Sequence, residues 1–292
     1  MIDERKKMKE RLRLSSILSH LSSVSRSDIE ILLSHILKCQ AIDLYKNPDK
    51  VITPIQDAGF RKLLKKYKKG WPAAYLTGHK EFMSLDFKVT PAVLIPRPET
   101  ELLVEEAIRC ITILTHSALR STLYAFDIGT GSGNIAISIA KHCRVKNLRI
   151  LASDISKGAL NVARLNAKRH QVSKYIKFCY GDLFEPFRGI KADIIVSNPP
   201  YVDRAEKSRW QAGLRYEPSG ALWAGKHGLS CIEQIVTQAP DYLRPGCFLL
   251  MEIGQGQAKA TLRIIKATGN FRDIKILNDY NRIPRVFTAN RC

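Results

Sequence analysis

Residues 123–133 read Leu123-Tyr124-Ala125-Phe126-Asp127-Ile128-Gly129-Thr130-Gly131-Ser132-Gly133, and the helical run 134–141 follows directly. An apolar strand that ends near an acid, turns on three alternating glycines and enters a helix is the corner of a doubly wound sheet. Glycine permits the tight turn and lets a ligand approach the backbone closely. N–H groups at the helix start suit an anionic group. The spacing is GxGxG, not the GxGxxG of a dinucleotide site, and the absence of GxxxxGK[ST] excludes a P-loop.

On either side of this corner the pattern holds. Short apolar runs alternate with helical patterns at Leu123–Ile128, 148–152, Ile176–Tyr180, Ala192–Ser197, 247–253, 274–277 and 285–289. Strands separated by helices predict an α/β fold with a doubly wound, mostly parallel sheet. Upstream, the first 80 or so residues read as helices without strands. Ser27-Asp28-Ile29-Glu30 and Thr53-Pro54-Ile55-Gln56 have the form of capping boxes. Ile55, Phe60, Leu63, Leu64 and Tyr67 supply an apolar helical face, and Lys62, Lys65, Lys66, Lys68 and Lys69 decorate the same segment. Leu85, Phe87 and Val89 alternate with polar residues and, with Phe82, predict a short hairpin. Pro91, Pro96 and Pro98 mark an irregular stretch before a helix near 101–113. The expected organisation is a helical domain at 1–78, a hairpin linker at 79–98 and an α/β domain at 99–292.

The chemistry begins with the acids. Asp127 stands two residues before the first glycine, and Asp154 closes the next apolar run, where a carboxylate can accept both hydroxyls of a ribose. This combination is that of an S-adenosylmethionine-dependent methyltransferase, whose ligand carries a carboxylate for the loop at Gly129, Thr130, Gly131, Ser132 and Gly133. Its sulfonium tolerates acids such as Asp127. Gly181-Asp182-Leu183-Phe184 follows the third strand, where adenine is expected, with Asp182 as an acceptor and Leu183 and Phe184 as apolar contacts.

Asn198-Pro199-Pro200-Tyr201 ends the fourth strand. Two prolines restrain the backbone and remove two donors, leaving carbonyls free to accept. The Asn198 oxygen and the Pro199 carbonyl supply two acceptors for a planar NH2, and Tyr201 can pack on its face. A delocalised amide or aromatic amine is a poor nucleophile. Holding its protons orients the lone pair for in-line displacement, and such orientation is worth up to about 7–11 kcal/mol.

Composition limits the rest. The 292 residues carry 47 Lys+Arg against 27 Asp+Glu, a net charge of +20 that attracts polyanions without naming one. Hydrophobic residues at 45% exclude wholesale disorder. Seven cysteines with no CxxC, and histidines with no HxxxH, predict no disulfide framework and no metal, in keeping with a reducing cytoplasm. No run approaches the roughly 18 apolar residues of a membrane span. The charged start at residues 1–7 is read as no secretory signal.

With these motifs in hand, the chain resembles the release factor glutamine methyltransferases, the PrmC/HemK family, over nearly its whole length. The resemblance is carried by residues 74–82, by Ile95-Pro96-Arg97-Pro98-Glu99-Thr100-Glu101, by Asp127 to Gly133 and by Ser197 to Tyr201. Glu217-Pro218, Ala221-Leu222 and Gly228-Leu229 add to it. It implies a small helical domain that helps dock the substrate, a hairpin linker and a Rossmann-like, seven-stranded class I methyltransferase domain with a final antiparallel strand. It further implies N5-methylation of the glutamine in the Gly-Gly-Gln motif of class I peptide chain release factors. By matching position, the glycine loop, Asp154 and Leu183 hold the cofactor, and Asn198, Pro199, Pro200 and Tyr201 bind the glutamine amide. Arg97, Thr100 and Glu101 are read as bracing the active-site wall, with a structural Arg97–Glu101 pair as the alternative. Gln255-Gly256-Gln257 and Asn281 depart from the family pattern and are expected not to touch the chemistry. A monomer is the default expectation. The rival enzyme reading is methylation of an exocyclic amine of adenine or guanine in RNA or DNA; the non-enzymatic rival is an inactive cofactor-binding scaffold.

Overall fold

The computed structural model describes residues 25–47, 50–117, 122–203 and 212–292, so the reading made for residues 1–7 lies outside the described residues. The chain divides into two compact units, Met1–Gly78 and His79–Cys292.

The described part of the first unit is helical: α1 (Arg26–Leu37), α2 (Asp43–Lys46), α3 (Pro54–Lys68) and α4 (Ala73–Thr77). Ile29, Leu32 and Leu33 share one face of α1 and form a core with Leu44, Phe60 and Ala73. The Tyr67 hydroxyl donates to Asp28 at 2.6 Å and ties α3 to α1. The capping box at Thr53 forms with both of its bonds. The box expected at Ser27 does not. Ser25 caps α1 instead, its hydroxyl accepting from Asp28 N and its carbonyl from Ile29 N, so Ser27 lies within the first turn. Ile55, assigned above to the apolar face, is 85% exposed, because it falls in the first turn of α3 ahead of the buried stripe.

The second unit opens with an antiparallel hairpin of β1 (His79–Phe82) and β2 (Leu85–Lys88). Its two-residue turn, Met83-Ser84, has positive φ at both positions (51° and 59°). Side chains strain in that region, and the usual Asn-Gly signal is missing. Carboxylates hold the turn instead: Met83 N donates to Glu101 and Ser84 N to Glu81. The hairpin packs within this unit. Buried Asn166 accepts from Lys88 N, and its amide donates to the Lys88 carbonyl and to the Ser132 carbonyl of the glycine loop.

Beyond it come α5 (Glu101–Ser117), β3 (Leu123–Ile128), α6 (Asn134–His142), β4 (Leu148–Asp154), α7 (Lys157–Arg169), β5 (Ile176–Tyr180) and β6 (Ala192–Ser197). Then follow α8 (Ser230–Tyr242), β7 (Leu243–Glu252), α9 (Ala258–Ala267), β8 (Phe271–Asn278) and β9 (Pro284–Arg291). The seven strands run in the order β5-β4-β3-β6-β7-β9-β8, parallel except that β9 is antiparallel to both neighbours. This is the Rossmann-like class I methyltransferase sheet. The central strands β3 and β6 are buried on both faces, which explains their near-continuous apolar runs. The strand order reverses at β3, between β4 and β6, so the crevice at the carboxyl ends of β3, β4 and β6 is where an open α/β sheet binds ligands. Among the described residues no helix is long and apolar enough to cross a membrane.

Candidate active site

The glycine loop leaves β3 at this crevice. Gly129, Gly131 and Gly133 all have positive φ, so a side chain there is strained. Their roles differ. A Cβ at Gly129 would meet nothing within 4 Å, so the loop faces open space there; one at Gly133 would strike Ile137 Cδ1 at 2.8 Å and Ala163 of α7 at 3.2 Å. Gly133 thus brings α6 close to α7.

Four of the five loop amides already have partners within the fold, which shapes the turn. Gly129 N and Thr130 N both donate to the Ser153 carbonyl at 2.9 Å, Gly133 N donates to Thr130 O, and Gly131 N donates to Asp154 Oδ2 at 2.9 Å. Asp154 accepts from Ser156 N as well, at 2.8 Å. Both of its oxygens are therefore oriented by backbone, and each keeps a further lone pair for a hydroxyl. Burial raises its carboxyl above the ordinary value.

Asp127 lies fully buried beneath the loop. Its Oδ2 accepts from the Thr130 hydroxyl at 2.7 Å and from Ala136 N at 3.3 Å, while its Oδ1 has no partner. Burial pushes this carboxyl up to about 7, against the pull of the Thr130 and Ala136 donors and with added repulsion from Asp154. From 3.8 up to about 7 the folded chain holds a proton that the unfolded chain has released. This group therefore drains stability as pH rises through that window. Asp127→Asn is expected to gain on the wild type by up to about 4 kcal/mol between about pH 4 and about pH 7.5, at about 1.4 kcal/mol per pH unit. Urea midpoints of both proteins across that range measure it, and a gap that stays constant with pH contradicts the expectation.

Asp182 is exposed after β5, and Leu183 follows in a left-handed conformation (φ 42°), its carbonyl accepting from Ser153 Oγ at 2.9 Å. The expectation for Phe184 fails. It is fully buried and stacks on Tyr242 at 4.7 Å between ring centroids, in the core rather than in the crevice.

Asn198 leaves the end of β6. The preceding Ser197 hydroxyl donates to the Ile128 carbonyl at 2.8 Å, joining the end of β6 to the start of the glycine loop. Asn198 Nδ2 donates to Thr100 Oγ1 at 3.0 Å, and the Thr100 hydroxyl donates to Glu252 Oε2 at 2.6 Å. The Tyr201 hydroxyl donates to Glu252 Oε1 at 3.0 Å. Glu252 closes β7 and is fully buried; burial raises its carboxyl despite the Thr100 and Tyr201 donors and nearby Arg285. Burial, then the Glu252 charge, pushes the Tyr201 phenol far above its ordinary value. Tyr201 is thus a neutral ring pinned by its hydroxyl. Pro199 is buried beside Asn198, and Pro200 is partly exposed.

Of the three residues assigned to the wall, Thr100 alone touches Asn198. Arg97 pairs with buried Glu217, which also accepts from Ile95 N at 3.1 Å, and Glu101 holds the hairpin turn. No Arg97–Glu101 pair forms. The departure at Gln257 also proves to touch the motif: Gln257 Nε2 donates to the Tyr201 carbonyl at 2.9 Å and to the His227 carbonyl at 3.1 Å, while its oxygen accepts from Gly254 N. Glu252 is a residue of this site that the motifs do not name; its signal in the sequence is a lone charge inside the apolar run 247–253.

Comparison with known proteins bears on this geometry. Residues 11–78 match the PrmC N-terminal domain family, and residues 111–214 match the methyltransferase small domain family. The release factor glutamine methyltransferase of Geobacter sulfurreducens is 41% identical over 263 residues, covering 90% of this chain and 88% of that one. That of Moorella thermoacetica is 37% identical over 266 residues, covering 91% of each. The chain belongs to the release factor glutamine methyltransferase family. Its fold has wider relatives: the hMettl16 catalytic domain in complex with MAT2A 3′UTR hairpin 1 matches with a TM-score of 0.57 at 14% identity, over 79% of this chain and 90% of that one. The N-terminal domain of human METTL16 in complex with SAH matches with a TM-score of 0.50 at 15% identity, over 71% and 76%. In this chain, the elements that converge on Asn198 are the turn before α5 and the ends of β6 and β7.

Proposed function

We propose that this enzyme transfers a methyl group from S-adenosylmethionine to the N5 side-chain amide nitrogen of the glutamine in the Gly-Gly-Gln motif of class I peptide chain release factors. The observation that carries the reading is Asn198 at the end of β6, its NH2 engaged by Thr100 and its oxygen left as an acceptor. The names of the family relatives supply the substrate class.

The residues present fit the cofactor. A buried carboxylate oxygen of Asp127 without a partner, open space over Gly129 and a backbone-oriented Asp154 suit a ligand with a cationic centre and a ribose diol. In this reading Asp127, Gly129, Thr130, Gly131, Ser132, Gly133, Asp154, Asp182 and Leu183 hold it, and Asn198 adds a minor contact. When bound, it supplies an electrophilic methyl group on a sulfonium.

The chain's own residues do the rest. Asn198 Oδ1 and the Pro199 carbonyl accept the two protons of the glutamine amide, and the Tyr201 ring packs on its face. Pro200 stiffens the turn. These acceptors orient the nitrogen lone pair toward the methyl and become more favourable as positive charge grows on nitrogen. The methylated nitrogen then sheds a proton to water without a dedicated base.

The helical unit is the proposed docking element for the release factor. Lys62, Lys65, Lys66, Lys68 and Lys69 are all exposed on and just after α3, a basic face suited to an acidic partner surface. Joint replacement Lys62→Glu, Lys65→Glu and Lys66→Glu is expected to raise KM for the release factor about tenfold with kcat within about twofold; an unchanged KM rejects the docking role. A cytoplasmic location and a monomer go with the reading.

The deciding test is methyl transfer from labelled S-adenosylmethionine to a purified class I release factor, beside a Gly-Gly-Gln variant with its glutamine changed to alanine and beside RNA. Incorporation into the wild-type factor alone supports the proposal. Incorporation into RNA alone turns the reading to a nucleobase amine.

A further inference from the structure

The geometry points to Thr100 and Glu252 as positioning residues that fix which edge of the Asn198 amide faces the substrate. This rests on the proposed role of Asn198 as an acceptor for the glutamine NH2.

The two ends of an asparagine amide are nearly equal in size, so a half-turn about its last bond exchanges an acceptor for a donor at no steric cost. Asn198 works as an acceptor in one of these states only. With its NH2 toward the substrate it would meet another NH2, donor against donor. What selects the state is the proton inventory of its neighbours.

Thr100 Oγ1 lies 2.6 Å from Glu252 Oε2 and 3.0 Å from Asn198 Nδ2. A hydroxyl has one proton. Glu252 is fully buried, and in its ionised form it can only accept, so the Thr100 proton is then committed to it. Thr100 therefore turns lone pairs alone toward Asn198, and Asn198 must answer with its NH2. The Tyr201 hydroxyl satisfies the other Glu252 oxygen, so both oxygens hold their donors. The three groups come from the turn before α5 and the ends of β6 and β7. Burying an acid is costly unless its oxygens are hydrogen-bonded, as both are here.

Thr100→Val keeps the shape and removes the acceptor. It is expected to lower kcat about 30-fold, with KM for the release factor and Kd for S-adenosylhomocysteine each within about twofold. Thr100→Ser restores the acceptor and is expected to keep at least about half of the wild-type kcat. Glu252→Gln can donate to Thr100 and release its proton toward Asn198, so both amide states coexist, and kcat is expected to fall at least about tenfold. Wild-type kcat in Thr100→Val, a loss carried by KM or by cofactor Kd, or a Thr100→Ser variant as impaired as Thr100→Val overturns the inference. A second measurement does not depend on the substrate. In 15N-labelled protein the Asn198 side-chain NH2 pair is assigned by its loss in Asn198→Asp. It is expected to move in Thr100→Val and to stay near its wild-type position in Thr100→Ser. An unmoved pair in Thr100→Val overturns the inference even if the release factor is not the substrate, whereas a moved pair without methyl transfer by the wild type rejects the substrate reading and leaves the relay standing.

Discussion

Asn198→Ala is expected to lower kcat for glutamine methylation by about 10²–10³-fold, while affinity for S-adenosylhomocysteine stays within about twofold. The magnitude is that of removing one preorganised partner from a reacting group in a water-poor site. The side chain has two separate duties. Its oxygen meets the substrate amide in the proposed reaction, and its NH2 closes the relay from Thr100 to Glu252. Alanine removes both, yet leaves Thr100 hydrogen-bonded to Glu252, so no buried carboxylate is orphaned. The backbone course is held by Pro199, by Pro200 and by the Ser197 bond to Ile128, which the substitution does not reach. Loss of kcat with intact cofactor binding separates a catalytic role from a scaffold role. Single-turnover rates with saturating cofactor, beside calorimetric titration with S-adenosylhomocysteine, measure the two halves. Full activity in the variant removes the acceptor role; a matching loss of cofactor affinity reassigns Asn198 to the cofactor.

The second large effect is expected outside both the glycine loop and the Asn-Pro-Pro-Tyr turn. Gly228→Ala is expected to cut kcat/KM by more than about 10²-fold and to destabilise the protein by about 3 kcal/mol or more, the range of severe single substitutions. Gly228 has φ +68°, and a Cβ built there overlaps the Tyr201 carbonyl oxygen, lies 2.8 Å from the Tyr201 carbonyl carbon and 2.7 Å from Gln257 Nε2. These neighbours cannot simply swing aside. The obstacle is backbone, and Gln257 is held by the Tyr201 and His227 carbonyls and by Gly254 N. Relief comes by shifting the Gly228 backbone or Tyr201, and a shift of Tyr201 strains the bond of its hydroxyl to Glu252. Gly220→Ala is the control: a Cβ there meets nothing within 4 Å, and near wild-type stability and activity are expected. Urea titration and steady-state kinetics of both variants test the contrast. A Gly228→Ala protein that behaves like Gly220→Ala shows that the close approach is not needed.

How far these sites could be read in advance depended on the range of the signal. Leu123–Ile128, Ile176–Tyr180 and Ala192–Ser197 have in the structure the bounds expected from their apolar runs. The strand expected at 247–253 begins instead at Leu243, running through Arg244-Pro245-Gly246. Local punctuation argued for a stop there, but pairing of Leu243 with Ala192 extends the strand across a register shift. Phe184 looked like a ligand contact because it follows Asp182 and Leu183; it is core because Tyr242 at the end of α8 stacks on it. Ser25 and Ser27 offer equally good hydroxyls, and hydrogen bonding, not residue type, chose the first.

Period, glycine spacing and proline are properties of neighbours along the chain. They determined by themselves that this protein has a doubly wound sheet, a glycine corner after its first strand and a rigid Asn-Pro-Pro-Tyr turn at its fourth. The partners of that turn were decided by tertiary structure alone. Thr100 meets Glu252 across 152 positions, Asn198 meets Thr100 across 98, and Gln257 meets Tyr201 across 56. The carboxyl ends of β6 and β7 become neighbours only through the strand order of the folded sheet. A hydrogen bond is decided by about 3 Å of separation and by which atom owns the proton, and neither quantity has any image in the spacing of residues along a chain.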